Sequence, residues 1–142
     1  MARVLAILVG CLLWSWASAH EAIVTEDAPP AVGPYSQGIL VDDILHVAGQ
    51  IALDVATGTV PGDIELQTER VLEQIRAIVE ASGMTMANVV ATTVYLADLD
   101  DFSRMNAVYA HFFPDPTPAR STVEVARLPR DALIEVSAVA IR

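Results

Sequence analysis

The C-terminal stretch Ala132–Ile141 constrains the fold of this 142-residue chain more than any other segment. Ala132, Ile134, Val136, Ala138 and Ala140 are apolar, and so are Leu133, Val139 and Ile141 between them. Successive side chains of a strand point to opposite faces. A strand of this composition therefore needs apolar cover on both. Only two segments elsewhere have the three- and four-residue spacing of an amphipathic helix. The first runs from about Ile64 to Ser82, with Ile64, Val71, Leu72, Ile75, Ile78 and Val79 on one face, Asp63 as N-cap and Gly83 just past the end. The second runs from about Asp101 to Phe113, with Phe102, Met105, Tyr109 and Phe112 as its stripe and Pro114 as its stop. Two helices can cover one face of a sheet. The bare face is a liability in a monomer and is expected to be buried in a homo-oligomer. A monomer with loops laid over that face is the alternative.

The remaining segments read as strands. They are Ala22–Thr25, Gln37–Val41, Ile44–Ala52, Val89–Leu96 and Arg120–Val125, followed by the C-terminal run. Asp42-Asp43 suggests a hairpin, and Leu128-Pro129-Arg130-Asp131 joins the last two strands. The order is βββαβαββ, an α+β domain with six strands and two helices on one face. No internal repeat or low-complexity linker divides it.

Residues 1–19, MARVLAILVGCLLWSWASA, have a different character. Arg3 precedes an unbroken apolar run that ends in Ala17-Ser18-Ala19, the layout of a secretory signal peptide cleaved after Ala19. The domain then spans residues 20–142, and the expected location is periplasmic or secreted, off the membrane once the signal is removed. The 16 residues Val4–Ala19 fall short of the roughly 20 that span a bilayer. An uncleaved anchor stays open, as does lipidation at Cys11, whose Leu8-Val9-Gly10-Cys11 setting resembles a lipoprotein box placed too early.

Composition excludes several chemistries. The chain has no Lys, so it has no Schiff-base or pyridoxal-phosphate lysine. Cys11 is its single Cys, so the processed chain has neither a disulfide nor a thiol nucleophile. With Arg3 removed, seven Arg face eighteen acids, a net charge of −11. Such a surface disfavours nucleic acid and anionic lipid. His20, His46 and His111 share no ligand spacing, so no metal site is expected. No GxGxxG, GxxxxGK[ST] or GxSxG is present.

Two charged residues stand out. Arg120 opens a strand in a region with little other positive charge. Its guanidinium fork suits a carboxylate, although a salt bridge to one of the many acids would also explain it. Glu135 interrupts an apolar run between Ile134 and Val136, where a carboxylate needs a partner or a purpose. If their two strands pair through the short connection, the two residues share a cavity; a structural ion pair is the alternative. Gly33-Pro34 makes a turn that could hold Tyr35 at a pocket edge, or leave it an ordinary loop tyrosine.

Four blocks of sequence carry a wider likeness: Ala31–Gly38 (AVGPYSQG), Ala48–Ile51 (AGQI), Met105–Tyr109 (MNAVY) with Phe112-Phe113, and Pro118–Pro129 (PARSTVEVARLP) followed by Ile134-Glu135-Val136. The chain from about Ala22 to Arg142 resembles the Rid/YjgF family of enamine/imine deaminases, and the block from Ala119 to Pro129 is highly specific. The resemblance implies a chorismate-mutase-like, YjgF-type fold assembled as a homotrimer with active sites between subunits. It puts Arg120 on a substrate carboxylate and Glu135 beside the attacked carbon, with Tyr35, Asn106, Gly49 and Thr122 lining the cleft. The implied reaction hydrolyses 2-imino or enamine acids to 2-keto acids and ammonia, without a cofactor. Many relatives carry Cys where this chain has Thr122, so thiol reactivity is lost here. Two other functions stay open. One is a non-catalytic ligand-binding or chaperone-like trimer; the other, opposed by the charge, is a ribonuclease.

Overall fold

The computed structural model describes residues 20–54 and 56–142, so the expected signal segment with Cys11 lies outside the described residues. Helix α1, Ile64–Ala81, forms where the apolar periodicity predicts it. Asp63 caps it by accepting the Leu66 N–H at 2.8 Å. Gly83 follows its C-terminal end in the left-handed region, φ +80°, where glycine carries no steric penalty. Val71, Leu72, Ile75, Ile78 and Val79 are fully buried against the sheet.

That sheet has six strands: β1 His20–Ile23, β2 Gly38–Val41, β3 Ile44–Ile51, β4 Val89–Leu96, β5 Ala119–Glu124 and β6 Ile134–Ile141. Their spatial order is β1-β2-β3-β6-β4-β5. Every pairing is antiparallel except β4 with β5. The sheet is therefore mixed, with both helices on one face, as the sequence predicts. Gly38 sets the approach of α1: a Cβ there would meet Ile78 Cγ2 at 3.0 Å and Leu45 Cδ1 at 3.2 Å.

The expected pairing of β5 with β6 does not occur. β4 lies between them, hydrogen-bonded to both. The connection from β5 to β6 crosses over that intervening strand and includes a short 3₁₀ turn at Pro129–Asp131. Strand β6 accordingly begins at Ile134 rather than Ala132.

Two other elements differ from expectation by more than one residue. Helix α2 spans Phe102–Tyr109, shorter than the predicted 101–113. Beyond it the chain tightens into i→i+3 bonds, His111 N–H to Val108 O at 3.0 Å and Phe112 N–H to Tyr109 O at 3.1 Å. This turn brings Phe113 onto Tyr109, with ring centroids 4.6 Å apart. The first strand ends at Ile23 rather than Thr25, because the Gln37 amide takes both backbone groups of Thr25.

Strand β6 shows the two-faced character that opened the sequence reading. Ile134, Val136, Ala138 and Ala140 are buried beneath the helices. On the other side Ile141 stays 41% exposed, paired with Ile44 at 40%, and Val123 of β5 stays 44% exposed. No helix covers that face among the described residues.

The Asp63 cap is a local device and can be tested as one. Asp63→Ala should lower stability by about 0.5–2 kcal/mol in urea unfolding without changing the fold. A loss below a few tenths of a kcal/mol would mean the cap contributes nothing.

Candidate functional site

The six residues singled out in the sequence fall into two groups, one on each side of the sheet. Arg120 pairs with Thr92 of β4, and Thr92 is buried on the helix side. Its guanidinium lies 4.5 Å from the Tyr109 ring centroid and 5.6 Å from that of Phe102, both on α2. Asn106 lies between these two in sequence, four residues after Phe102 and three before Tyr109, so it shares their helix face. Thr122 follows Arg120 on the same side of β5. Its Oγ1 is buried, with no hydrogen-bond partner among the described residues.

Arg120 has no carboxylate partner among the described residues, whereas Arg70, Arg76, Arg104 and Arg127 all do. The described residues thus give Arg120 no salt bridge. A cation resting on aromatic faces is held by the ring quadrupole and keeps its in-plane donors for another group. Burial raises the Tyr109 phenol above its ordinary range, while its hydrogen bond with Thr92 and the charge of Arg120 oppose that shift. The two hydroxyls of Tyr109 and Thr92 are 2.7 Å apart, which fixes the ring under the guanidinium.

Glu135 lies on the opposite face, alternating with the buried Ile134 and Val136. It lines a cavity of about 450 Å³ together with Tyr35, Gly49, Gln50, Arg130 and a largely apolar wall. The register between β3 and β6 shifts between Val47 and Gln50, a bulge that contains Gly49. A Cβ at Gly49 would sit 2.0 Å from Glu135 Oε1, so only glycine leaves room for the carboxylate. Partial burial pushes the Glu135 carboxyl above the usual carboxylate range. Tyr35 lines the cavity, its hydroxyl accepting the Val32 N–H at 3.4 Å.

Arg120 and Glu135 thus do not share a cavity within one chain, contrary to the expectation from strand adjacency. They are two strands apart, three residues offset along β6, and on opposite faces. Strand geometry alone separates their Cα atoms by about 14 Å. Among the described residues no cluster of three His, Cys, Asp or Glu is arranged to hold a metal ion.

Four contributors were not singled out as site residues from the sequence. Gln37 is buried, and its Nε2 donates to Ala28 O at 3.1 Å and Pro29 O at 2.8 Å, pinning the loop that forms one cavity wall. Its place in the block Ala31–Gly38 was the available signal. Phe102 and Tyr109 read as helix stripe, and nothing in their spacing marks them as the support of Arg120. Arg130 read as a connecting residue, yet it lines the cavity.

Residues 25–142 match the family described as Endoribonuclease L-PSP. A RutC family protein of Pyrococcus abyssi is 54% identical over 123 residues, 86% of this chain and 97% of the relative. The chain belongs to this family. It is the Rid/YjgF family that the four sequence blocks resemble. The 2-iminobutanoate/2-iminopropanoate deaminase of Escherichia coli K12 is 46% identical over 125 residues, 86% of this chain and 98% of the relative. The solved structure of the E. coli YjgF gene product superposes with a TM-score of 0.82 at 44% identity, covering 86% of this chain and 98% of that one. The YjgF-type fold is thus established for this Rid/YjgF chain.

Gly49→Ala tests how the cavity is built. The clash falls on the end of a flexible side chain, so the variant should fold and Glu135 should swing out of the cavity in its crystal structure. An unmoved carboxylate would show that the room at Gly49 is not what positions it.

Proposed function

We propose that this chain is a hydrolase of 2-imino and enamine acids, converting them to 2-keto acids and ammonia. The observation that carries this reading is Arg120: a guanidinium without a carboxylate partner among the described residues, seated on the Tyr109 and Phe102 rings. It is a receptor suited to a carboxylate. Thr122 and Asn106 flank it with further polar groups. Glu135, half-buried beside Gly49, is the group suited to handle protons. The deaminase name of the E. coli relative supports the same chemistry.

The two groups lie on opposite faces of one sheet, so a single chain does not bring them to one substrate. A second copy laid against the uncovered face would bring its edge strand β5, with Arg120, toward the Glu135 cavity of the first. We take the working form to be a homotrimer, with each site completed by two chains. Burial of Ile44, Val123 and Ile141 supports the same arrangement, because it removes exposed apolar surface from water.

In the reaction, Arg120 holds the carboxylate and so fixes the adjacent C=N carbon. Glu135 accepts a proton from water as the water oxygen bonds to that carbon and the π electrons move to nitrogen. The same carboxyl returns that proton to nitrogen to give the carbinolamine; the hydroxyl proton then passes through Glu135 to nitrogen as the C–N bond breaks, so the new C–O bond becomes the carbonyl of the 2-keto acid and ammonia leaves. A raised proton affinity suits a carboxyl that must both take and return a proton. No lysine, thiol or metal takes part in these steps. The ribonuclease in the family description is a weaker reading for this chain, because its net charge of −10 repels RNA. The signal-like residues 1–19 support action outside the cytosol, on imines produced there by amino-acid oxidation.

Imines made in situ by an amino-acid oxidase, with their decay followed by semicarbazide trapping, test this reading. Glu135→Gln should lower kcat by about 10²–10⁴-fold with little change in KM. Arg120→Lys should raise KM and lower kcat/KM by ~10–100-fold, because an ammonium cannot reproduce the bidentate fork. Decay no faster than in buffer for every imine tried would end the enzyme reading and leave a ligand-binding protein.

A further inference from the structure

We propose that Arg130 is a second carboxylate-binding residue of the Glu135 cavity and selects 2-imino acids with an acidic side chain. This proposal rests on the deaminase reading and names a substrate class for that site. Arg130 and Glu135 are the two charged side chains among the described residues lining the cavity. Arg130 has no carboxylate partner among the described residues; it makes one hydrogen bond, NH1 to Gly58 O at 3.4 Å. The neighbouring acid, Asp131, is engaged by Arg127 at 2.8–2.9 Å and leaves Arg130 uncompensated.

The backbone supports a specific role. Arg130 and Asp131 both adopt left-handed conformations, φ 57° and φ 53°. Such conformations are unfavourable for residues with a Cβ, and two in succession persist only where the surrounding chain dictates them. Here they turn the chain between Pro129 and strand β6 at the cavity edge. In a protein of net charge −10, where four of the eight Arg are paired with carboxylates, a cation left unpaired at a cavity is a chemical statement.

The lining agrees with this. Pro29, Leu53 and Pro129 give the rest of the lining an apolar character, so Arg130 is the cation that a ligand there meets. A substrate with its α-carboxylate on Arg120 and its reacting carbon by Glu135 would direct its side chain along this cavity. A terminal carboxylate there meets Arg130 with a matching planar fork. The competing reading is that the apolar walls select an apolar side chain and Arg130 only rims them.

Selectivity separates the two. Imines are generated with matching oxidases from L-glutamate and L-aspartate, and from L-leucine and L-alanine, and kcat/KM is measured for each. Arg130→Asn is the variant of choice, because Asn tolerates the left-handed backbone; Arg130→Lys is the conservative partner. The wild type should favour the dicarboxylic imines. Arg130→Asn should reduce the ratio of dicarboxylic to monocarboxylic kcat/KM by ~10–100-fold, with Arg130→Lys between the two. A ratio unchanged in Arg130→Asn, or a wild type that prefers the leucine-derived imine, overturns the proposal while the deaminase reading stands. A wild type that hydrolyses none of the imines removes both.

Discussion

A sheet covered by helices on one side only is the constraint from which the rest of this protein follows. Strand β6 sits near the middle of that sheet, and its even-numbered side chains from Ile134 to Ala140 close the core beneath α1. Its odd-numbered side chains have no such cover, and Ile141 with its pair Ile44 remains substantially exposed. The apolar burial available to one chain is thus only partly used. At ~25 cal/mol per Å², covering such a face with another copy is a substantial driving force. The exposed edge at β5 belongs to the same problem, since an unpaired strand edge invites a partner.

The chemistry is distributed along the same division. On the helix side, α2 offers two aromatic rings that hold the Arg120 guanidinium without neutralising it. On the open side, the bulge in β3 places a glycine where any side chain would displace Glu135. The buried Gln37 amide ties down the loop bearing Pro29 and so shapes the cavity wall. Each half is locally complete, with its charged group held by its own surroundings. In the proposed reaction, neither half could position and hydrate an electrophile alone. Association would then bury the apolar face and unite the two halves in one step.

Much of this was legible in the sequence, and what was not has a physical reason. Helix α1 was legible to within a residue, because its cap, periodicity and terminal glycine agree. Helix α2 was overextended, because Phe112 continues the apolar spacing after the backbone has tightened into turns. The expectation that Arg120 and Glu135 face one cavity rested on strands consecutive in the chain being neighbours in the sheet. Strand β4 intervenes, and no local signal announces that insertion. The candidate site residues come from the sequence blocks, and the structure places them in two groups on opposite faces of the sheet. The stacking of Arg120 on Phe102 and Tyr109 was not, since it depends on how α2 crosses the sheet. Arg130 was hidden for a related reason: its place at the cavity is set by a left-handed turn that its sequence does not require.

If one site is built from two chains, mixed subunits carrying complementary substitutions regain it. Arg120→Ala and Glu135→Ala proteins, each inactive alone, are unfolded together and refolded in equal amounts. Some sites in the mixed assemblies then receive the intact Arg120 from one chain and the intact Glu135 from another. Recovery of roughly a quarter of wild-type imine hydrolysis is expected, the share that random assortment gives in a closed ring. A mixture that assembles but stays as inactive as its parents would contradict it, because both residues would then have to act within one chain.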